Sequence, residues 1–232
     1  HFLRNNKFTN TVVKERFIDE VSGYKLFGSY ILPDNRFKID EKIINKKIEQ
    51  VNKRSDLIII TDYGHHFMTK NIAANLINSK KFVAVNAQVN SSTQGYYSVE
   101  NYLGASAIII NETELRQYSR DSFSDIKKLS KKFKKEKKIN YLIVTMGKDG
   151  AILIDKLSKV YFCPAFAKRA IDKVGSGDAM LSVISLCLKL KLDSELVLFL
   201  GSLAASSSVE SLGNKKNINI EDLDRAIEYI LK

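Results

Sequence analysis

At 232 residues and 44% hydrophobic content, the chain is long enough to bury a substantial core, and its apolar runs are far too short to cross a bilayer. The two cysteines, Cys163 and Cys187, show no CxxC spacing, which excludes a disulfide framework and a cysteine-based zinc cluster. The net charge of +11 fits a nucleic-acid binder, but charge alone indicates solubility and non-specific attraction. These features favour a globular, cytoplasmic protein.

Strand and helix patterns alternate from the start of the chain. The segments TVVKERFI and KLFGSYIL predict two β-strands. A helix over 39–54 follows, because Ile43, Ile44, Ile48 and Val51 recur on one helical stripe. The next predicted elements are a buried strand at 57–61, a helix at 69–79 and the strands FVAVN and ASAIII.

The segment KKLSKKFKKEKK (127–138) carries much of the positive charge. Ile126, Leu129 and Phe133 recur at i, i+3 and i+7, which predicts an amphipathic helix with a solvated basic face. One aromatic residue is too few for a base-stacking platform. A charged outer helix is therefore favoured over a nucleic-acid surface.

The strand YLIVTM, the hairpin pair GAILID and KVYFC, and three apolar helical segments complete the pattern. Continuous apolar strands separated by helices indicate an α/β fold, a doubly wound and mostly parallel sheet with helices on both faces. Residues 1–232 are interpreted as one domain, with β segments at 1–35 and an α/β core at 36–232.

Polar residues stand where the core strands end. Ligands of such sheets bind beyond the carboxyl ends of the strands, so these side chains are candidates for a site. They are Asp62, Tyr63, Gly64, His65, His66, Asn86, Gln88, Asn111, Glu112, Glu114, Thr145, Gly147 and Gly150.

The segment DKVGSGDAM (172–180) opens the first apolar helix of the C-terminal part. Glycines at a helix start let an anion approach free backbone N–H groups, so Gly175, Ser176 and Gly177 fit a phosphate. Asp178 could then orient a hydroxyl and take its proton. The alternative is a purely structural helix cap, since Asp and Ser are common there.

Three motifs together resemble the ribokinase, or phosphofructokinase B, family of sugar kinases. DKVGSGDAM resembles the family's DTxGAGD signature, VTMGKDGAIL (144–153) its TxGxxG nucleotide segment, and NETEL (111–115) its NxxE motif. DYGHHFMT (62–69) resembles the DYGKG segment of the heptose 7-phosphate kinase branch, the nearest branch by motif. SLAASSSVESLG stands where that branch has its adenine-pocket helix.

The resemblance implies transfer of the γ-phosphoryl group of ATP to a hydroxyl of a sugar or sugar phosphate. Asp178 would be the catalytic base, and the amides of Gly175, Ser176 and Gly177 the anion hole. The resemblance also implies a nucleotide groove, which comprises Thr145, Gly147, Gly150 and Ser202. It further implies a site for magnesium and phosphate, which comprises Asn111 and Glu114.

Asp62, His65 and Asn86 are the implied substrate residues of the core. Lys14 and Arg16 are two apart on a strand, so they share a face that could meet an anionic sugar substituent; a solvated strand face is the alternative. The chain departs from the family at His65, where the branch has lysine, and at Asn86, where many relatives have Asp-Pro. His66 and Lys173 also replace the usual glycine and threonine.

The resemblance implies that the segments at 1–35 form a partial β lid near the N-terminus. The family's N-terminal strands, with their sugar-binding Gly-Gly and Asn residues, have no counterpart in this chain. We expect on the order of a quarter to a third of a kinase domain to be missing. A homodimer through the lid is an expected assembly. A catalytically inactive nucleotide-binding module, fused to or regulating a nucleotidyltransferase-type partner, is the alternative function. The sugar and its reacting hydroxyl stay open.

Overall fold

The computed structural model describes residues 12–21, 25–31, 40–65, 67–88, 99–167, 175–209 and 219–231. The strands are β1 (Val13–Ile18), β2 (Lys25–Ile31), β3 (Leu57–Asp62), β4 (Phe82–Ala87), β5 (Ala107–Asn111), β6 (Tyr141–Thr145), β7 (Ala151–Ile154) and β8 (Val160–Cys163). The α-helices are α1 (Glu41–Asn52), α2 (Lys70–Ile77), α3 (Glu112–Ser119), α4 (Ile126–Glu136), α5 (Ser176–Lys189), α6 (Ser194–Val209) and α7 (Ile220–Leu231). Short 3₁₀ turns cover Val99–Tyr102 and Gly147–Asp149.

The main sheet has six strands in the order β3-β4-β5-β6-β7-β8. Strands β3 to β6 pair in parallel, and β7 and β8 continue the sheet antiparallel. The register sets Asp62 opposite Ala87 and Asn111 opposite Thr145. The carboxyl ends of the four parallel strands therefore meet at one edge, as the sequence pattern predicts.

Helices cover both faces of this sheet. On β5, Ile108 and Ile110 pack into the core beneath helices α1 to α4, while Ile109 packs into a second core beneath α5 and α6. Because successive strand residues point to opposite faces, burial on both sides requires continuous apolar strands. The α/β architecture with helices on both faces is confirmed.

Strands β1 and β2 form a separate antiparallel sheet of two strands. Every residue of β1 is exposed, and the rings of Phe17 and Phe27 stack with their centroids 4.3 Å apart. The small sheet agrees with the predicted β lid. The rest of the 1–35 segment, at 1–11, 22–24 and 32–35, lies outside the described residues.

Helix α4 follows the predicted amphipathic pattern with one exception. Leu129 and Phe133 are buried as expected, but Lys134 is only 7% exposed, so the predicted solvated basic face is wrong at this position. The buried stripe also includes Ser130, one turn before Lys134. A long aliphatic stem lets a lysine pack in this way. None of the helices in the described part is long and apolar enough to span a membrane.

Candidate active site

A cleft of about 130 Å³ opens at the carboxyl end of β6, beside the start of α5. It brings together most of the predicted nucleotide residues and part of the predicted anion hole. Its lining comprises Thr145, Gly147, Gly150, Ala151, Pro164, Ala165, Phe166, Ala167, Ser176, Gly177, Met180, Ser202, Ala205, Ser206 and Val209. Residues from distant parts of the sequence therefore share one cavity.

The start of α5 forms one wall of this cleft. Gly175 is the N-cap residue and adopts a left-handed conformation, with φ of 87°. It has no side chain to bond the first-turn amides, which a Ser or Asp at this position would do. With Ser176 and Gly177 lining the cleft, the positive end of the helix faces the cavity.

Asp178 is the third residue of α5, so it is not the N-cap. Its Oδ2 accepts a hydrogen bond of 3.0 Å from the Tyr63 hydroxyl. Its Oδ1 is buried and meets no hydrogen-bond partner among the described residues. Burial of the Tyr63 ring, the hydrogen bond to Asp178 and the carboxylate charge together raise the pKa of Tyr63. Within the described ranges, the carboxylate thus keeps one acceptor oxygen unused.

Asp62, at the end of β3, has a different environment. It is 5% exposed, and each of its carboxylate oxygens has a partner. The Tyr102 hydroxyl donates to Oδ2 at 2.6 Å, and the Gly64 amide donates to Oδ1 at 2.9 Å. Gly64 has φ of 71°, so the carboxylate stabilises a tight turn after the strand. This geometry supports a structural contribution from Asp62.

Asn86, on β4, lies beside the start of α5. It is 7% exposed, and a Cβ placed on Gly177 would lie 3.6 Å from its Nδ2. Its Oδ1 is buried without a hydrogen bond from any residue the structure describes. His65 lies half-buried in the turn after β3. His66 and Lys173 lie outside the described residues.

Asn111 and Glu114 bond to each other at the start of α3. The Asn111 Oδ1 accepts from the Glu114 amide at 2.8 Å, and the Glu114 Oε2 accepts from the Asn111 amide at 3.1 Å. This reciprocal pair is a capping box. Across the described ranges, no group of three His, Cys, Asp or Glu side chains is placed to hold a metal ion. The capping atoms of the two predicted magnesium residues are therefore already engaged.

The two glycines of the nucleotide segment differ in their surroundings. Gly147 has φ of 59°, and a Cβ there would meet no atom within 4 Å. Gly150 has φ of 93°, and a Cβ would lie 2.1 Å from the Cys163 carbonyl oxygen. Gly150 is thus required by the packing of β7 on β8, whereas Gly147 leaves open space at the cleft. Ser202, 7% exposed, lines the cleft from α6.

The lid sheet contributes Lys14 to the neighbourhood of Asp178. The Lys14 Nζ lies 4.8 Å from the centroid of the Tyr63 ring and 5.6 Å from that of Tyr30. Both distances are within the range of cation–π attraction. Arg16 is exposed on the same strand and is not among the residues that line the cleft.

Sequence reasoning placed Tyr63 among the polar residues at a strand end without giving it a role, and it did not consider Tyr102 or Phe166. Tyr63 and Tyr102 bond to carboxylates far away in the chain, and no local pattern identifies such pairs. Phe166 lines the cleft and is held by an edge-to-face contact with Phe199, whose ring centroid is 5.5 Å away. Its position just after the predicted strand KVYFC is the one available signal.

Comparison with known proteins agrees with this geometry. The model of the pfkB family carbohydrate kinases matches residues 34–220. A relative named bifunctional protein HldE, from Campylobacter fetus, is 26% identical over 179 residues, covering 76% of this chain. The match spans only 38% of the length of that relative.

Solved structures of ribokinases resemble the chain in fold. The Thermotoga maritima ribokinase has a TM-score of 0.70 at 20% identity. The matched region covers 94% of this chain and 70% of the ribokinase chain. An Arabidopsis thaliana ribokinase complexed with ribose and ATP has a TM-score of 0.67 at 14% identity, covering 89% and 66% of the two chains. Since the family model matches most of its length, the chain belongs to the pfkB family of carbohydrate kinases.

Proposed function

We propose that the chain is the kinase part of a protein that transfers the γ-phosphoryl group of ATP to a hydroxyl of a sugar or sugar phosphate. The observation that carries the proposal is the Asp178 carboxylate, which follows the cleft-lining Gly177 in sequence and has only one of its oxygens hydrogen-bonded among the described residues. A carboxylate whose only role were structural would have both oxygens bonded, as Asp62 does. Membership of the family supports the same reaction class.

Asp178 acts on the acceptor in this proposal. The acceptor hydroxyl donates its hydrogen bond to Oδ1, and its oxygen forms the new bond to phosphorus while the bond to the ADP oxygen breaks. A carboxylate is too weak a base to remove this proton beforehand, but it can take the proton late in a loose transition state. The amides of Gly175, Ser176 and Gly177 stabilise the charge of the transferred group.

The cleft provides the nucleotide site. The Thr145 and Ser202 hydroxyls and the open backbone at Gly147 would hold the phosphates and ribose, and the apolar side chains of Phe166, Ala205 and Val209 would cover the base. Magnesium carried with ATP would neutralise phosphate charge. Asn111 and Glu114 would act near this ion through water, because the Oδ1 of Asn111 and the Oε2 of Glu114 each accept a backbone hydrogen bond in the capping box, and the phosphates would hold the ion directly.

The acceptor site would lie on the β3 and β4 side of Asp178. Asn86 offers a buried carbonyl oxygen there, and Lys14 offers a cation beside Tyr63. A cation near the base favours an acceptor that already carries a phosphate. The likeness of DYGHHFMT to the heptose 7-phosphate kinase segment makes heptose and hexose phosphates the first acceptors to test.

The small sheet suggests how the protein assembles. Apolar side chains on both strands are exposed, among them Phe17 at 45% and Phe27 at 57%. Covering these rings with the same sheet of a second copy would bury apolar surface that now faces water. A homodimer through the lid is therefore part of the proposal.

A nucleotide-binding module without kinase activity is the second candidate. His65 stands where the related segment has lysine, so a fixed cation near the phosphates is replaced by a group that is mostly neutral at pH 7. The chain also spans well under half of its bifunctional relative. Both observations fit a domain that regulates or supports a fused partner.

Calorimetry followed by turnover assays separates the candidates. We expect ATP with magnesium to bind, and ADP release to depend on an added sugar or sugar phosphate. The assay is run on this chain and on the product of the full open reading frame. Binding without turnover on any acceptor would favour the module, and no binding of ATP or ADP at millimolar concentration, on the order of the weakest specific affinities, would overturn the nucleotide site.

A further inference from the structure

Tyr63 is the described residue that holds the Asp178 carboxylate. Its hydroxyl donates to Oδ2 at 3.0 Å across a sequence separation of 115 residues. Oδ1 is left buried and without a partner in the described part of the chain. A carboxylate with one oxygen held has its rotation restricted, so the other oxygen keeps a defined direction.

Two contacts support the position of Tyr63. Lys14 lies over its ring, with Nζ 4.8 Å from the centroid. The preceding residue in the chain, Asp62, is fixed by hydrogen bonds from Tyr102 and Gly64. The hydroxyl is thus presented from a supported turn, which is what a positioning group requires.

From this geometry we infer that Tyr63 is a positioning residue, which orients the Asp178 carboxylate so that Oδ1 receives the proton of the acceptor hydroxyl. The inference rests on the proposed kinase function. Tyr63 keeps its own proton throughout; the acceptor proton moves to Oδ1 as the oxygen–phosphorus bond forms. The raised pKa of Tyr63 is consistent with a hydroxyl that stays protonated at neutral pH.

The kinetic test removes only the hydroxyl. Tyr63→Phe should lower kcat about tenfold or more, because a misplaced base is less effective, while the KM for ATP stays unchanged. Tyr30→Phe is the matched control, since it removes a hydroxyl from the other ring beside Lys14; its kcat should change by less than about twofold. A Tyr63→Phe variant with wild-type kcat would overturn the inference.

A double-mutant cycle tests whether Tyr63 acts through Asp178. In an Asp178→Asn background, adding Tyr63→Phe should lower kcat by less than about twofold, because the group being positioned is already lost. A full second loss in the double variant would contradict the inference.

A third measurement needs no turnover. Tyrosine ring carbons labelled with ¹³C report the titration of Tyr63, and the Tyr63 signal is identified by its loss in Tyr63→Phe. The pKa of Tyr63 should fall in Asp178→Asn, because the carboxylate that raises it is removed. An unchanged Tyr63 titration would overturn the pairing. A shifted titration in a protein that phosphorylates no acceptor would support the pairing and contradict the kinase assignment.

Discussion

The end of β3 and the start of α5 each carry an aspartate bonded to a tyrosine, yet the two regions differ in what remains free. Asp62 has both oxygens occupied, by Tyr102 and Gly64. Asp178 has one oxygen on Tyr63, and its other oxygen meets no partner in the described ranges. A buried acceptor without a partner costs free energy, so its retention indicates a use.

Two glycines and two lysines show a similar difference, in which residues of the same type have different surroundings. Gly150 is held by backbone packing and Gly147 faces open space. Lys134 is buried, whereas Lys131 on the same helix is exposed. In each pair one member is enclosed by the packing of the fold and the other is available to solvent or ligand. Substituting both members should separate the two contributions.

The largest expected effect is at the aspartates. Asp178→Asn should fold and bind ATP but lose turnover on the order of a hundredfold or more, the scale of removing a positioned general base. Asp62→Asn should lower the free energy of unfolding by about 2 kcal/mol. Each oxygen of the buried Asp62 carboxylate accepts a hydrogen bond, and an amide can accept at only one of these two positions. Sugar-dependent ADP release and urea unfolding measure the two quantities. Equal turnover of Asp178→Asn and wild type would remove Asp178 as the base.

The glycines should give the next largest effect. Gly150→Ala forces a Cβ to 2.1 Å from the Cys163 carbonyl oxygen and should cost about 2–3 kcal/mol of stability. Gly147→Ala has room for its Cβ and should cost only about 1 kcal/mol, from the positive φ. A bulky side chain at Gly147 should instead weaken ATP binding in calorimetry. Loss of stability at Gly147 as large as at Gly150 would contradict the comparison.

Tyr102→Phe should lower the free energy of unfolding by less than the Gly150 substitution does. It removes the 2.6 Å hydrogen bond to Asp62 and leaves a buried carboxylate oxygen with one donor fewer. The expected loss is about 1.5–2 kcal/mol, or a fall in Tm of several degrees for a chain of this size. ATP affinity should stay at the wild-type value, since Tyr102 does not line the cleft. Unchanged Tm would show that the bond contributes little.

Much of the fold could be predicted from the sequence because its signals are local. The run LIIIT at 57–61 corresponds to β3 at Leu57–Asp62, and the helix predicted over 39–54 is α1 at Glu41–Asn52. Strands of a parallel sheet that are buried on both faces have continuous apolar sequences, which can be recognised without the structure. The same logic predicted the edge at which the polar residues gather.

The site was predictable only in part. Glycines and an acid at a helix start point to the region of Gly177 and Asp178, because glycines there let an anion approach the free amides; a structural helix cap uses the same residue types. The distinction between Asp62 and Asp178 depends on tyrosines 40 and 115 residues away, so no local pattern contains it. Ala205 and Val209 line the cleft, but alanine and valine occur in any hydrophobic core, so their sequence does not mark them as site residues.

Lys134 provides a prediction about pH. Burial lowers the pKa of Lys134 from 10.5, and the charge of Asp155 acts in the opposite direction. The unfolded chain therefore binds more protons than the folded chain just below pH 10.5, so this lysine makes stability rise with pH in that window. Lys134→Met should flatten the rise, measured as the difference between variant and wild type in urea unfolding from pH 8 to about 10.5. A variant with the wild-type slope would contradict the burial of the amine.

The exposed lysines of α4 should give the smallest effect. Changing Lys131, Lys132 and Lys135 to Gln removes three charges from a solvated face, together with the exposed ion pair of Lys132 and Glu136 at 4.0 Å; exposed charges and pairs contribute little to stability. The free energy of unfolding should change by less than about 0.5 kcal/mol, and ATP affinity should stay within twofold or so. Any affinity of the wild type for DNA should be weak and fall steeply with salt, because it would come from counterion release alone. Tight, sequence-selective DNA binding at physiological salt, lost in the triple variant, would instead make this helix a functional surface.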